Sequence, residues 1–229
     1  MKRKIVYLSH ILNQKTPSYG NRDYFIVRPN SQIQAGKNSN SSCWIFSNNH
    51  IGTHLDVPLH FGDKARCIID YPASFFVFNN CCCVNISCGE NYLIRKEDLI
   101  LQKENILRNV ELLLIRTGFE LWREKEKYWR ANPGLHPELA EYLRKEYPDL
   151  RCIGFDFISI GSWAHKSDGY WAHKEFLTPE EGKREILIIE DMSLNSLDIK
   201  TVIERVFAAP LLVENGNGGS ITVLAEIKC

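Results

Sequence analysis

The chain has 229 residues, and its 28 Lys plus Arg balance 28 Asp plus Glu, so the formal net charge at pH 7 is zero. That balance excludes the basic footprint of a nucleic-acid binder and a polybasic membrane patch, leaving a small molecule or another copy of the chain as the expected partner. With 44% apolar and 11% aromatic residues, the composition is that of a globular chain able to bury a core, expected as one domain over 1–229.

In chain order, residues 4–12 read as a short strand. Ser9 and His10 interrupt its apolar run too early for a signal peptide. No run approaches the roughly 20 residues that span a bilayer, so a cytoplasmic protein is expected. Residues 13–24 are turn-rich, with Asn13, Pro17, Ser18, Gly20 and Asn21. Residues 30–42 read as a polar surface loop, and 43–46 as a strand that runs into a histidine cluster.

Beyond that cluster, 74–88 carries two strand-like runs separated by Asn79 and Asn80. Residues 95–109 have helical periodicity. Residues 111–117 and 152–160 are apolar runs of the kind found inside a sheet covered on both faces, and 186–190 and 221–227 are two more strands. Residues 119–131 and 136–147 are helical in composition, broken by Asn132, Pro133 and Gly134. Residues 199–206 fit a short helix or a strand, and the glycines around 216–219 a hairpin turn. The class is mixed α/β. No GxSxG elbow or GxGxxG loop is present, which disfavours serine hydrolase and dinucleotide chemistry. Eight cysteines with no CxxC pair read as free thiols in a reducing compartment.

The chemistry concentrates in His50-Ile51-Gly52-Thr53-His54-Leu55-Asp56-Val57-Pro58-Leu59-His60. Three histidines and an aspartate share one parity, so they share one side of an extended chain. A straight strand would hold His50 and His54 roughly 13 Å apart, too far for one metal ion. The chain must therefore curl, and Gly52 and Pro58 supply the bend. Thr53 is expected to hold the curl by bonding backbone groups. Imidazole and carboxylate ligands suit zinc or manganese.

The segment resembles the HxGTHxDxPxH signature of the cyclase-like metal hydrolases, which include bacterial kynurenine formamidase and isatin hydrolase. Further resemblances are YLSHIL at 7–12, LLLIRTG at 112–118, Asn132-Pro133-Gly134-Leu135, IGFDFISI at 153–160, HKEFL at 173–177 with ILIIEDM at 186–192, and APLLV at 209–213. They span nearly the whole chain. The resemblance implies a swivelling β/β/α domain with a mixed, partly barrel-like sheet, assembled as a homodimer or higher homo-oligomer. It implies metal ligands His50, His54 and Asp56, completed by His173 and Glu190, and His60 as the acid/base. One or two divalent ions are implied, with zinc favoured and manganese the alternative.

The implied reaction is hydrolysis of a non-peptide C–N bond in a small amide, formamide or lactam. A metal-binding protein without hydrolase activity, or a lyase or cyclase on the same scaffold, are the alternatives. His165, in the first of two WAHK repeats, rivals His173, which is preferred because Phe176 and Leu177 follow it. Tyr19, Ser9 and His10 are expected to line the substrate pocket. Asp156 and Ser159 are placed to hydrogen-bond a ligand. Where the formamidase carries a tryptophan on its aromatic substrate, this chain has Pro17-Ser18-Tyr19-Gly20, a departure in the substrate loop; the implied activity is kynurenine formamidase-like or isatin hydrolase-like.

Overall fold

The computed structural model describes residues 3–178, 182–198 and 201–228. Its strands are β1 Arg3–Tyr7, β2 Phe25–Ser31, β3 Ser41–Phe46, β4 His54–Asp56, β5 Val77–Phe78, β6 Cys81–Asn85, β7 Leu93–Ile94, β8 Leu112–Arg116, β9 Gly134–Leu135, β10 Cys152–Phe155, β11 Leu187–Glu190, β12 Val202–Pro210 and β13 Gly218–Lys228. The α-helices are α1 Lys96–Ile100, α2 Lys127–Arg130, α3 Glu138–Glu146 and α4 Lys166–Leu177.

The main sheet runs β5-β12-β13-β4-β11-β10-β8-β6, with β1 also paired to β13. One half is parallel: β6, β8, β10 and β11 follow one another in register. The other half is antiparallel, built on the long β12–β13 ribbon. Between them lies β4, only three residues long, antiparallel to both β11 and β13. The result is a mixed α/β fold with a nearly closed, barrel-like sheet. Both faces of β8, β10 and β11 are covered, which is why their side chains are apolar without alternation. Leu139, Ala140 and Leu143 of α3 and Ala172, Phe176 and Leu177 of α4 are buried in the same core.

Several elements differ from the sequence expectations. The first strand stops at Tyr7, because the Ser9 hydroxyl takes over the pairing: it donates to Ile221 O and accepts from Val223 N. Residues 25–29 pair with 42–46 in a separate two-stranded ribbon. The runs on either side of Asn79 and Asn80 do not pair with each other, since β5 joins β12 and β6 joins β8.

The helical expectation over 95–109 reduces to α1 and a 3-10 turn at Lys103–Asn105. Over 119–131 the chain makes a 3-10 turn, Phe119–Trp122, and then the short α2. Here Glu120 turns inward to accept from Leu194 N and Asn195 N, and Arg123 and Tyr128 are drawn to Asp191. Strand β10 ends at Phe155, because Asp156 accepts from Thr117 N, Thr117 Oγ1 and Gly118 N and takes the chain out of the sheet. The segment from 166 to 177, read without a helix, is α4. Residues 202–206 belong to a strand; 199 and 200 lie outside the described residues.

The seven described cysteines are free; burial pushes the Cys83 thiol up to about 12. No helix among the described residues is long and apolar enough to cross a membrane.

Candidate active site

The curl required by the histidine spacing is present. Gly52 has φ +69°, and a Cβ there would meet Leu12 Cδ2 at 2.4 Å. Thr53 locks the bend: its hydroxyl donates to Asp191 O at 2.5 Å and accepts from His10 N at 2.9 Å. Pro58 opens a 3-10 turn to His60. The register of β4 then does the positioning. Glu190 on β11 stands opposite His54, and Gly218 on β13 stands opposite Asp56. Opposed residues of an antiparallel pair share a face, so Glu190 joins the face of His54. Gly218 leaves room for His50, whose Cε1 would lie 2.5 Å from a Cβ at that position.

His173 arrives from α4. Gly169, one turn earlier on that helix, packs on Gly161 so closely that a Cβ at 169 would lie 2.6 Å from Gly161 Cα. That contact brings the helix down onto the site. His173 Nε2 lies 3.7 Å from both Asp56 Oδ2 and Glu190 Oε1. His54 Nε2 lies 3.5 Å from Asp56 Oδ1 and 3.3 Å from Glu190 Oε2. His50 Nδ1 is 2.7 Å from Asp56 Oδ1.

The far nitrogen of each ring has an oxygen partner. It is Asn217 Oδ1 for His50, at 3.2 Å; Gly52 O for His54, at 2.7 Å; and Gly169 O for His173, at 2.8 Å. An N–H donated outward to oxygen fixes the tautomer and turns the other nitrogen's lone pair inward. Three lone pairs then face two buried carboxylates, Asp56 at 1% exposure and Glu190 at 3%. Asp56 Oδ2 has no hydrogen-bond partner. Lone pairs facing carboxylate oxygens repel unless a proton or a cation lies between them, and this donor set fits a divalent metal. Among the described residues, two groups have ligand atoms within 4.8 Å of one another, His50 with Asp56 and His60, and His54 with Asp56 and Glu190; Asp56 belongs to both.

Without a cation the charges compensate internally. For His54, burial works against protonation, but Glu190 and Asp56 outweigh it and raise the pKa to about 9. For Asp56, burial favours the acid form, but His50, His54 and His60 hold the carboxyl well below the usual range. Burial pushes His60 down to about 4.

The Cyclase family profile matches residues 6–162, more than half of the chain. The chain belongs to the Cyclase family. A kynurenine formamidase from Geobacillus thermodenitrificans is 32% identical over 116 residues, covering 48% of each chain; this chain thus spans about half the length of that relative. An isatin hydrolase bound to a product analogue, thioisatinate, superposes with a TM-score of 0.80 at 16% identity, over 98% of this chain and 92% of that one. A structure described as a predicted metal-dependent hydrolase from Bacillus stearothermophilus gives 0.74 at 19% identity, over 99% of both chains. These two likenesses establish the family fold.

In this Cyclase-family chain the cluster lies at the bottom of a cavity of about 390 Å³, walled also by Tyr19, Arg22, Phe61, Lys166 and Tyr170. His60 lines it, its ring stacked on His50 at 3.9 Å between centroids. Ser9 and His10 are not lining residues. The Ser9 hydroxyl is engaged with β13, and His10 sits behind the Thr53 bend, with Nε2 4.0 Å from Asp191 Oδ1. His165 precedes α4 and lies outside the cluster. Ser159 donates to Glu190 Oε1 at 3.4 Å beside Ile160 N at 2.7 Å, whereas Asp156 touches no member of the cluster.

Sequence reading missed two supports. Asn217, in a segment read as a plain hairpin turn, orients His50. The other is Asp191, held at φ +51° next to Glu190. Arg123 donates to both of its oxygens, and Tyr128 donates at 2.5 Å. A bidentate arginine on a buried carboxylate is a strong restraint; it fixes the turn that directs Glu190 and supplies the carbonyl that holds Thr53.

Proposed function

We propose that the chain is a metal-dependent hydrolase of a non-peptide C–N bond in a small amide, formamide or lactam. The observation that carries this is the set of three imidazoles tied outward to oxygen and turned inward onto Asp56 and Glu190. The relatives named kynurenine formamidase and isatin hydrolase support the reaction class. His50, His54, Asp56, His173 and Glu190 would hold one or two divalent ions: the imidazoles favour zinc, the two carboxylates also suit manganese. When bound, such an ion polarises a carbonyl and acidifies water.

The chain's own residues supply the rest. Hydrolysis forms a C–O bond, breaks the C–N bond and moves one proton from water to the leaving nitrogen. His60, on the cavity wall with its ring against His50, takes that proton and passes it to the leaving nitrogen. Tyr19 and Phe61 confine the substrate and exclude water from the bottom of the cavity.

A panel of formylated anilines, isatin and cyclic imides tests the reading. At least one member is expected to be hydrolysed, with activity lost on chelation and restored by zinc or manganese. Turnover that survives removal of metal to trace levels overturns metal dependence. A metal-loaded protein that turns over no member is a metal-binding protein without hydrolase activity.

The choice between the WAHK repeats has its own test. His173→Ala is expected to lose metal affinity by more than the ~10–100-fold typical of losing a hydrogen bond to a ligand, while His165→Ala binds metal as the unaltered chain does. Metal loss in the His165 variant alone would reverse the assignment.

A further inference from the structure

Between β10 and α4 the chain from Asp156 to Trp163 belongs to no strand or helix, so its backbone groups need partners outside the regular elements. The turn before β9 supplies them. Leu135 N donates to Ile160 O at 2.9 Å. Asn132, which is fully buried, makes the other bonds. Its amide nitrogen donates to Pro133 O and Gly161 O, both at 2.8 Å, with Ser159 O at 3.4 Å. Its Oδ1 accepts from Trp163 N at 3.1 Å. Carbonyls on one side and an N–H on the other fix which way this amide points.

The loop held in this way reaches two of the proposed metal ligands. Ile160 N donates to Glu190 Oε1 at 2.7 Å, and Ser159 Oγ donates to the same oxygen at 3.4 Å while accepting from Gly161 N at 3.3 Å. These bonds set the rotation of the Glu190 carboxylate. Gly161 meets α4, where a Cβ at 161 would lie 3.2 Å from Gly169 Cα and 3.9 Å from His173 Cε1. That contact sets how close His173 comes to the carboxylate, with Nε2 3.7 Å from Oε1. Among the described residues Asn132 hydrogen-bonds neither ligand. It grips the loop at Ser159, Gly161 and Trp163, the stretch that reaches both of them.

We propose that Asn132 is a positioning residue for the metal centre, holding the 159–163 loop so that Glu190 on β11 and His173 on α4 are presented at one spacing. This rests on the metal-dependent reading above. Ligands held at their bound spacing before the ion arrives lose little freedom when it binds. Releasing the loop loosens two ligands on different elements at once.

Asn132→Asp tests the role, because it keeps the shape and the acceptor for Trp163 N but sets an oxygen against Gly161 O. Zinc affinity, measured against a competing chelator, is expected to fall ~10–100-fold, the usual cost of losing a group that orients ligands. The visible spectrum of the cobalt-loaded protein is expected to shift with it. Val84→Ala is the control for a merely structural loss: Val84 is buried on β6, at the far edge of the sheet. That variant loses core packing and is expected to melt earlier with zinc affinity and cobalt spectrum unchanged. In a double-mutant cycle, Asn132→Asp and Ser159→Ala are expected to cost less together than the product of their separate losses, since both act through the loop on Glu190. Unaltered zinc affinity and cobalt spectrum in a folded Asn132→Asp variant, or losses that simply multiply, overturn the role. Asn132→Ser replaces the aspartate variant if that one does not fold. Should neither fold, hydrogen exchange in the unaltered chain decides: coupling is reciprocal, so zinc must slow the Trp163 amide more than it slows the β12–β13 amides, and equal slowing overturns the role. An unaltered chain that binds neither zinc nor manganese removes the metal reading itself, whereas one that binds metal and hydrolyses no panel member still answers the affinity test.

Discussion

Asp56→Asn is expected to strip the site of metal and abolish turnover while leaving the chain folded. Asp56 is common to both ligand groups. Its Oδ1 faces His50 and His54, and its Oδ2 faces His173. Every imidazole that turns inward therefore meets this one carboxylate. The amide has nearly the same shape, so β4 keeps its pairing with β11 and β13. It presents at most one neutral oxygen where the carboxylate offered two charged ones, to a hard divalent cation. Even a lost hydrogen bond to a ligand costs ~10–100-fold in metal affinity, and removal of a charged ligand shared by both groups costs more. Elemental analysis after dialysis, with circular dichroism as the check on folding, decides it. A folded variant that retains stoichiometric metal would remove Asp56 from the centre of the site.

The histidine segment was legible because its logic is local. Ligand types at fixed parity, a glycine and a proline define a curl that eleven residues specify by themselves. The buried strands were legible for a related reason, since a covered sheet demands continuous apolar runs. What escaped depends on partners far along the chain. No helix was read over 166–177, where Gly169 costs ~1 kcal/mol relative to alanine in a helix interior. In the fold that glycine is what admits Gly161 and seats His173. Asn217 looked like turn punctuation until β13 brought it against His50. Ser9 and His10 were expected in the pocket, yet the hydroxyl completes a strand edge and the imidazole stands behind the Thr53 bend.

His60→Ala is expected to keep the metal and the fold while turnover falls about 10²–10⁴-fold, the usual cost of losing a positioned acid/base. His60 follows Pro58 at the end of a 3-10 turn rather than on β4, so it approaches the cluster from the wall. Its ring lies parallel to His50, 3.9 Å away, and edge-on to His173 at 5.7 Å. Among the described residues neither of its nitrogens is tied to a backbone carbonyl, in contrast to His54 and His173. A ligand gains from a locked tautomer; a proton carrier must exchange protons at the nitrogen that meets the substrate, and an untethered imidazole is free to do so. The geometry also keeps a competing outcome measurable, because His60 lies within ligand distance of His50 and Asp56. The experiment is therefore paired, metal stoichiometry with initial rate on the best panel substrate. Full metal content with a collapsed rate assigns His60 to proton transfer. Metal lost in proportion to activity makes it a ligand, and near-normal turnover removes it from the chemistry.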